Sequence, residues 1–150
     1  SASGQRSATV AEISGFPTTP RPIRQFMRSL ATSAQGMATQ QKFLDIIAEN
    51  ISNAETTRTS ENGPYQRKVA VATRDARTGE IAVRVVEDGH EGRLVHDPAH
   101  PDADANGNVF FPNVDLNTEM VDLMLARRLH EANLSAFQTA KQMLRRAIDI

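Results

Sequence analysis

Between Asn117 and Ile150 the chain holds neither glycine nor proline, and that uninterrupted stretch constrains the fold more than any other feature of its 150 residues. A helix of more than thirty residues would be roughly 50 Å long at about 1.5 Å per residue. "NTEM" marks its start, with Asn117 or Thr118 as cap and Glu119 and Asp122 in the first turns, where carboxylates complement the helix dipole. At about 100° per residue, Leu125, Leu129, Ala132, Ala136, Ala140, Met143, Ala147 and Ile150 form one apolar row. Met120, Leu123, Leu134, Phe137, Leu144 and Ile148 form a second row beside it. Together they span about 200°, roughly twice the arc that a helix needs to bury one stripe. One partner helix cannot cover both rows.

A second helical pattern runs from about Arg28 to Ala54, where Leu30, Ala34, Met37, Leu44, Ile47, Ala48 and Ile51 recur at threes and fours. Pairing the two helices leaves one row of the C-terminal helix facing water. At roughly 25 cal/mol per Å² that row represents several kcal/mol of unfavourable hydration, which neighbouring copies would relieve. The alternative is that the segment between the helices folds back over the exposed row. Asn133 lies inside the same arc, where it either pairs across a helix interface and fixes register or bonds to its own chain.

Before the first helix, residues 1–27 are rich in Ser, Thr, Gly and Pro, and prolines at 17, 20 and 22 oppose a continuous helix, so this segment reads as a mobile extension. Between the helices, residues 56–115 change to strand periodicity. "YQRKVAVAT" and "GEIAVRVVED", joined by "RDARTG", predict an antiparallel hairpin, with weaker strands at Arg93–His96 and Asn108–Phe111. The fold class is therefore α+β: long N-terminal (28–55) and C-terminal (116–150) helices packed as a coiled-coil-like pair around a small antiparallel β insert.

Several function classes are disfavoured by composition. A net charge of −1, with cations scattered among acids along the sequence, gives no run suited to nucleic acid or anionic lipid. There is no cysteine, hence no thiolate ligand or nucleophile, and no apolar run of membrane-spanning length. The absence of Trp and the single Tyr speak against a large aromatic-lined pocket, so no cofactor is expected.

"PDADANGNVFFP" opens like a calcium loop, with Asp102, Asp104 and Asn106 at alternate positions, then Gly107 and an apolar Val109. Position 12 is Asn113 in place of the bidentate glutamate, so the aspartates read as turn formers bonding to backbone amides. A metal-dependent binding module or hydrolase on residues 96–113 is the competing reading. His90, His96 and His100 fall in broken loops and His130 on a distant helix, and no serine has a nucleophile-elbow context, so no catalytic or metal residue is assigned.

Two motifs carry a family resemblance. "AENISNAETTRT" supplies Asn50, Asn53, Ala54 and Thr56 of an Asn-rich motif that closes the first helix, and "PNVDLNTEMVDLMLARRLHEANLSAFQTAKQMLRRAIDI" supplies N-V-D, E-M, E-A-N and the closing M-L-x-x-A-I-D-I. The chain resembles the rod, hook and related axial proteins of the bacterial flagellum over about residues 30–150. Its short insert and "HPDADANGNV" are nearest the C-type proximal-rod branch. Glu49 and His130 depart from the pattern, standing where Asn and Tyr are commoner. The resemblance implies a structural subunit, exported by the flagellar type III apparatus, that polymerises in the periplasm into a torque-transmitting rod. Implied partners are copies of itself, other proximal and distal rod proteins, the MS-ring and export-gate base and the export apparatus, with no nucleic acid and no membrane insertion. Helix packing and assembly are expected at Leu44, Ile47, Asn50, Ile51 and Asn53 of the first helix. On the second they are expected at Met120, Leu123, Leu129, Asn133, Leu134, Phe137, Met143, Leu144 and Ile148.

Overall fold

The computed structural model describes residues 21–149. Helix α1 (Arg21–Ser52) is followed by strands β1 (Lys68–Arg74), β2 (Ile81–Glu87), β3 (Arg93–His96) and β4 (Asn108–Phe111), and helix α2 (Leu116–Ile148) closes the chain. The α+β architecture, the paired terminal helices and all four strands follow the sequence reading. Residues 1–20 lie outside the described residues, and with them most of the N-terminal extension.

Two boundaries differ from expectation. Helix α1 starts at Arg21, whereas residues 21–27 read as part of the extension. Pro22 is the reason the start is tolerated: in a first turn its missing N–H has no intrahelical acceptor to lose and its fixed φ already suits the helix. Helix α2 is capped by Asp115, not by Asn117 or Thr118; its side chain accepts from the amides of Asn117 and Thr118 at 3.0 and 3.5 Å. The helix thus begins about half a turn earlier, and Glu119 remains the acid of its first turn.

The strands form two separate antiparallel ribbons. In the first, Lys68 pairs with Glu87 and Arg74 with Ile81, and the connection is closed by Asp75, whose carboxylate accepts from the Arg77 and Thr78 amides at 2.7 and 2.9 Å. Those amides hold the Asp75 carboxyl below its ordinary range. Gly79, at φ 73°, supplies the left-handed residue that the turn requires. In the second ribbon Arg93 pairs with Phe111 and His96 with Asn108.

The β1–β2 ribbon lies along α1, and no strand packs on α2 among the described residues, so the fold-back that would have covered α2 does not occur. Buried side chains concentrate where α1 ends and α2 begins: Ala54, Tyr65, Val109 and Ala126 with the polar Asn50 and Glu119. Two-stranded ribbons are marginal by themselves. Here the first is held at Lys68 by Asn50 of α1, and the connection of the second at Asp102 by Thr57, just beyond α1.

Candidate functional site

The helix pair is antiparallel. Asn50 hydrogen-bonds Glu119, while Asn133 lies over Gly36, so the same fourteen-residue step separates the two contacts on both helices. On α2 the inward row is Glu119, Leu123, Ala126, His130, Asn133, Phe137, Ala140 and Leu144, alternating steps of four and three, and all are buried or half-buried. Asp122 apart, every other α2 residue from Leu116 to Ile148 is exposed. The facing row of α1 has the same alternation, Ile23, Phe26, Leu30, Ser33, Met37, Gln40, Leu44, Ile47 and Ile51, each half-buried. A 3.5-residue repeat on both helices is the geometry of a coiled-coil seam.

This corrects the assignment of the two apolar rows. Neither row of α2 is the seam; it runs between them, taking Leu123, Phe137 and Leu144 from one and Ala140 from the other. Of the α2 residues expected to carry packing, Met120, Leu129, Leu134, Met143 and Ile148 are exposed, the last by 66 %. Leu125, Leu129, Ala132, Ala136, Met143 and Ala147 make an apolar flank, where Leu125 is 58 % and Leu129 47 % exposed. Beside it, Phe43 and Ile46 of α1, Val69 and Ala70 of β1 and Leu125 and Leu129 of α2 line a groove of about 310 Å³. Midway along the seam the packing turns polar: a Cβ at Gly36 would stand 3.8 Å from Asn133 Nδ2, and His130 Nδ1 is buried without a hydrogen-bond partner among the described residues.

The junction that fixes this register is built on Asn50, 1 % exposed. Its Oδ1 accepts from the Lys68 amide at 2.9 Å and from the Tyr65 hydroxyl at 2.8 Å. Its Nδ2 donates to the Lys68 carbonyl at 2.8 Å and to Glu119 Oε2 at 3.4 Å. One carboxamide thereby pairs with the first residue of β1 as a neighbouring strand would, and ties it to α2. Glu119, also 1 % exposed, is paired with Arg67 Nε, and Arg67 reaches Asp88 at 3.1 Å. The Glu119 hydrogen bond holds the Arg67 guanidinium even more firmly charged than usual. Asp88 is lowered to about 2, first by the His90 side chain and then by the His90 amide, with Arg67 adding to both. Glu49, the departure from the family pattern, pairs with Lys68 Nζ at 2.6 Å, and Asn53 ends α1 by donating to the Glu49 carbonyl at 2.9 Å.

Tyr65 reports on this junction. Burial, with Glu49, Glu119 and Glu87 nearby, pushes its pKa up to about 12 from 10.0. A raised folded-state value means that the contribution to stability is complete below pH 10 and is lost as pH rises through 12, on the order of 2–3 kcal/mol across that window. Tyr65 is the only tyrosine, so its absorbance titrates one group. The folded chain is expected to ionise near pH 12 and the chain in urea near pH 10; a folded midpoint at 10 would contradict the buried Asn50–Tyr65 bond.

The loop that resembles a calcium site is occupied by its own chain. Asp102 accepts from Thr57 Oγ1 at 2.6 Å and pairs with Arg58 at 3.2 Å, and Asp104 accepts from the Asn106 and Asn108 amides, both at 2.9 Å. Among the described residues no three His, Asp or Glu side chains are grouped to hold a metal ion.

Comparison with known proteins places the helix pair. Residues 30–58 match the family model described as flagella basal body rod protein, and residues 105–150 the flagellar basal body rod FlgEFG protein C-terminal model. Flagellar basal-body rod protein FlgC of Bacillus subtilis is 35 % identical, covering 81 % of this chain and 95 % of its own length. The chain belongs to the flagellar basal-body rod protein family and is FlgC-like. FlgC of Salmonella typhimurium is 34 % identical over 79 % of this chain and 92 % of its own length, and that of Aquifex aeolicus 33 % over 85 % and 98 %. The two family models fall on α1 with its closing motif and on β4–α2, which are the elements that form the seam and the junction.

Proposed function

We propose that this rod-family subunit polymerises through its terminal helices, in the periplasm, into the proximal part of the flagellar rod, where it transmits motor torque. One observation carries the reading: after α1 and the ribbons have packed, α2 still shows water a full apolar flank, with Leu125, Leu129 and Met143 about half exposed or more. Covering each is worth on the order of 1 kcal/mol, so the flank amounts to several. A heterologous contact that does not close into a ring gives a helical filament, the form a shaft requires. Copies of the chain and the other rod proteins are the partners that fit, and entry through the type III export apparatus, with the MS-ring base beneath, fits such a subunit. No described helix is long and apolar enough to cross a membrane.

Hydrogen exchange tests this. In a verified monomer the α1 and α2 amides far from the Asn50 junction are expected to exchange fast, and to become protected in purified basal bodies. Strong protection of both helices along their whole length in the monomer would refute it.

A further inference from the structure

Three arginines, Arg21, Arg24 and Arg28, occupy the first turns of α1, and Lys141, Arg145 and Arg146 the last turns of α2; all six are exposed. The antiparallel register set by Gly36 and Asn133 brings the two groups to one end of the molecule, with Arg28 level with Lys141 and Arg24 level with Arg145. Asp149 is the single acid among residues 21–31 and 138–149, so the described residues at this end carry six positive charges against one. None of the six forms an ion pair among the described residues. The arginines on α1 also break a local rule, since cations at a helix N-terminus oppose its dipole and that first turn holds no acid. Nothing among the described residues compensates for them.

At the opposite end, where α1 stops and α2 starts, lies an open cleft of about 730 Å³ whose walls hold five acids against Arg67, Arg93 and His90. Asp88 and Glu119 share Arg67 and Asp115 caps α2, which leaves Glu55 and the exposed Glu91 without partners among the described residues. A 32-residue helix is roughly 48 Å long, several times the Debye length of about 8 Å at physiological salt. The two ends of one molecule therefore cannot neutralise each other.

We propose that the cationic end of one copy's helix pair docks in the acidic cleft at the far end of the next copy, a head-to-tail contact that gives assembly its polarity. The inference rests on the assembly reading above and adds a direction to it. An anionic membrane would suit the cations but would leave the cleft without a counterpart.

Sedimentation velocity of the full chain is the test, at about 0.05 M and about 0.5 M salt. The wild-type chain is expected to associate at low salt and dissociate at high salt. Arg21→Glu/Arg24→Glu/Arg28→Glu, which places dipole-favouring acids on α1 and so keeps it folded, and Glu55→Lys/Glu91→Lys are each expected to lower the association constant about tenfold or more. An equimolar mixture of the two variants is expected to associate again, because the reversed end of one fits the reversed cleft of the other. Absence of salt-sensitive association, unaltered association of either variant, failure of the mixture to recover, or preferential binding of the wild type to phosphatidylserine vesicles would each overturn the proposal. If the charge variants associate normally while Leu125→Asp/Leu129→Asp does not, assembly through the apolar flank stands and the polarity alone is lost.

Discussion

Asn50→Asp is expected to destabilise the chain by about 3–4 kcal/mol, more than Asn50→Ala, although the new side chain has the same shape. The amide is used from both sides: Oδ1 accepts from Lys68 and Tyr65, and Nδ2 donates to the Lys68 carbonyl and to Glu119. A carboxylate keeps the first two bonds and turns the others into contacts between oxygens. One of those oxygens belongs to Glu119, whose negative charge is already balanced by Arg67. Alanine only removes the four bonds, stranding the Tyr65 hydroxyl and the Lys68 amide and carbonyl, which costs about 2–3 kcal/mol. Urea unfolding followed by far-UV circular dichroism checks the order wild type, Ala, Asp. Double substitution with Glu119→Gln should recover part of the Asp variant's loss, since the repelling carboxylate is gone. An Asp variant as stable as wild type would mean that the Lys68 carbonyl and Glu119 are not held against Asn50.

What periodicity could and could not reveal is clearest on α2. Counting apolar residues located two rows and the excess of greasy surface, and that excess is present in the structure. It did not locate the seam, because the positions facing α1 include Glu119, Ala126, His130 and Asn133, which are charged, small or polar. A pattern reads hydrophobicity; the choice of packing face also depends on what the partner offers, here a polar middle of Ser33, Gly36 and Gln40. Strands fared better, since β1–β4 are set by alternation and turn residues that act locally. Asn50 could be singled out through its motif, but Arg67 and Tyr65 could not: they sit in an unremarkable approach to a strand and acquire meaning only when α1 and α2 converge on them. The cationic end has the same explanation. Along the sequence the basic residues look dispersed, and the antiparallel register gathers six of them.

The seam also decides which substitutions separate assembly from folding, and Leu125→Asp/Leu129→Asp is the pair expected to abolish swimming while leaving the subunit folded. Both side chains stand on the flank beside the seam, about half exposed, and line the groove against β1. In the isolated chain an aspartate there meets water and costs little. In an assembled rod it would be buried against a neighbour's apolar surface without a counter-charge, a penalty of several kcal/mol per site, multiplied along the filament. Phe137→Asp is different in kind: Phe137 lies in the seam, so its loss should separate α1 from α2 before any assembly is attempted, and it would stop motility for the wrong reason. Leu134, outside the seam and 40 % exposed, belongs with the first pair. The measurement is soft-agar motility together with rod content of isolated basal bodies, set against circular dichroism of the purified variants. Wild-type swimming with Leu125→Asp/Leu129→Asp would show that the flank stays wet in the rod, and the apolar surplus of α2 would then need a different partner.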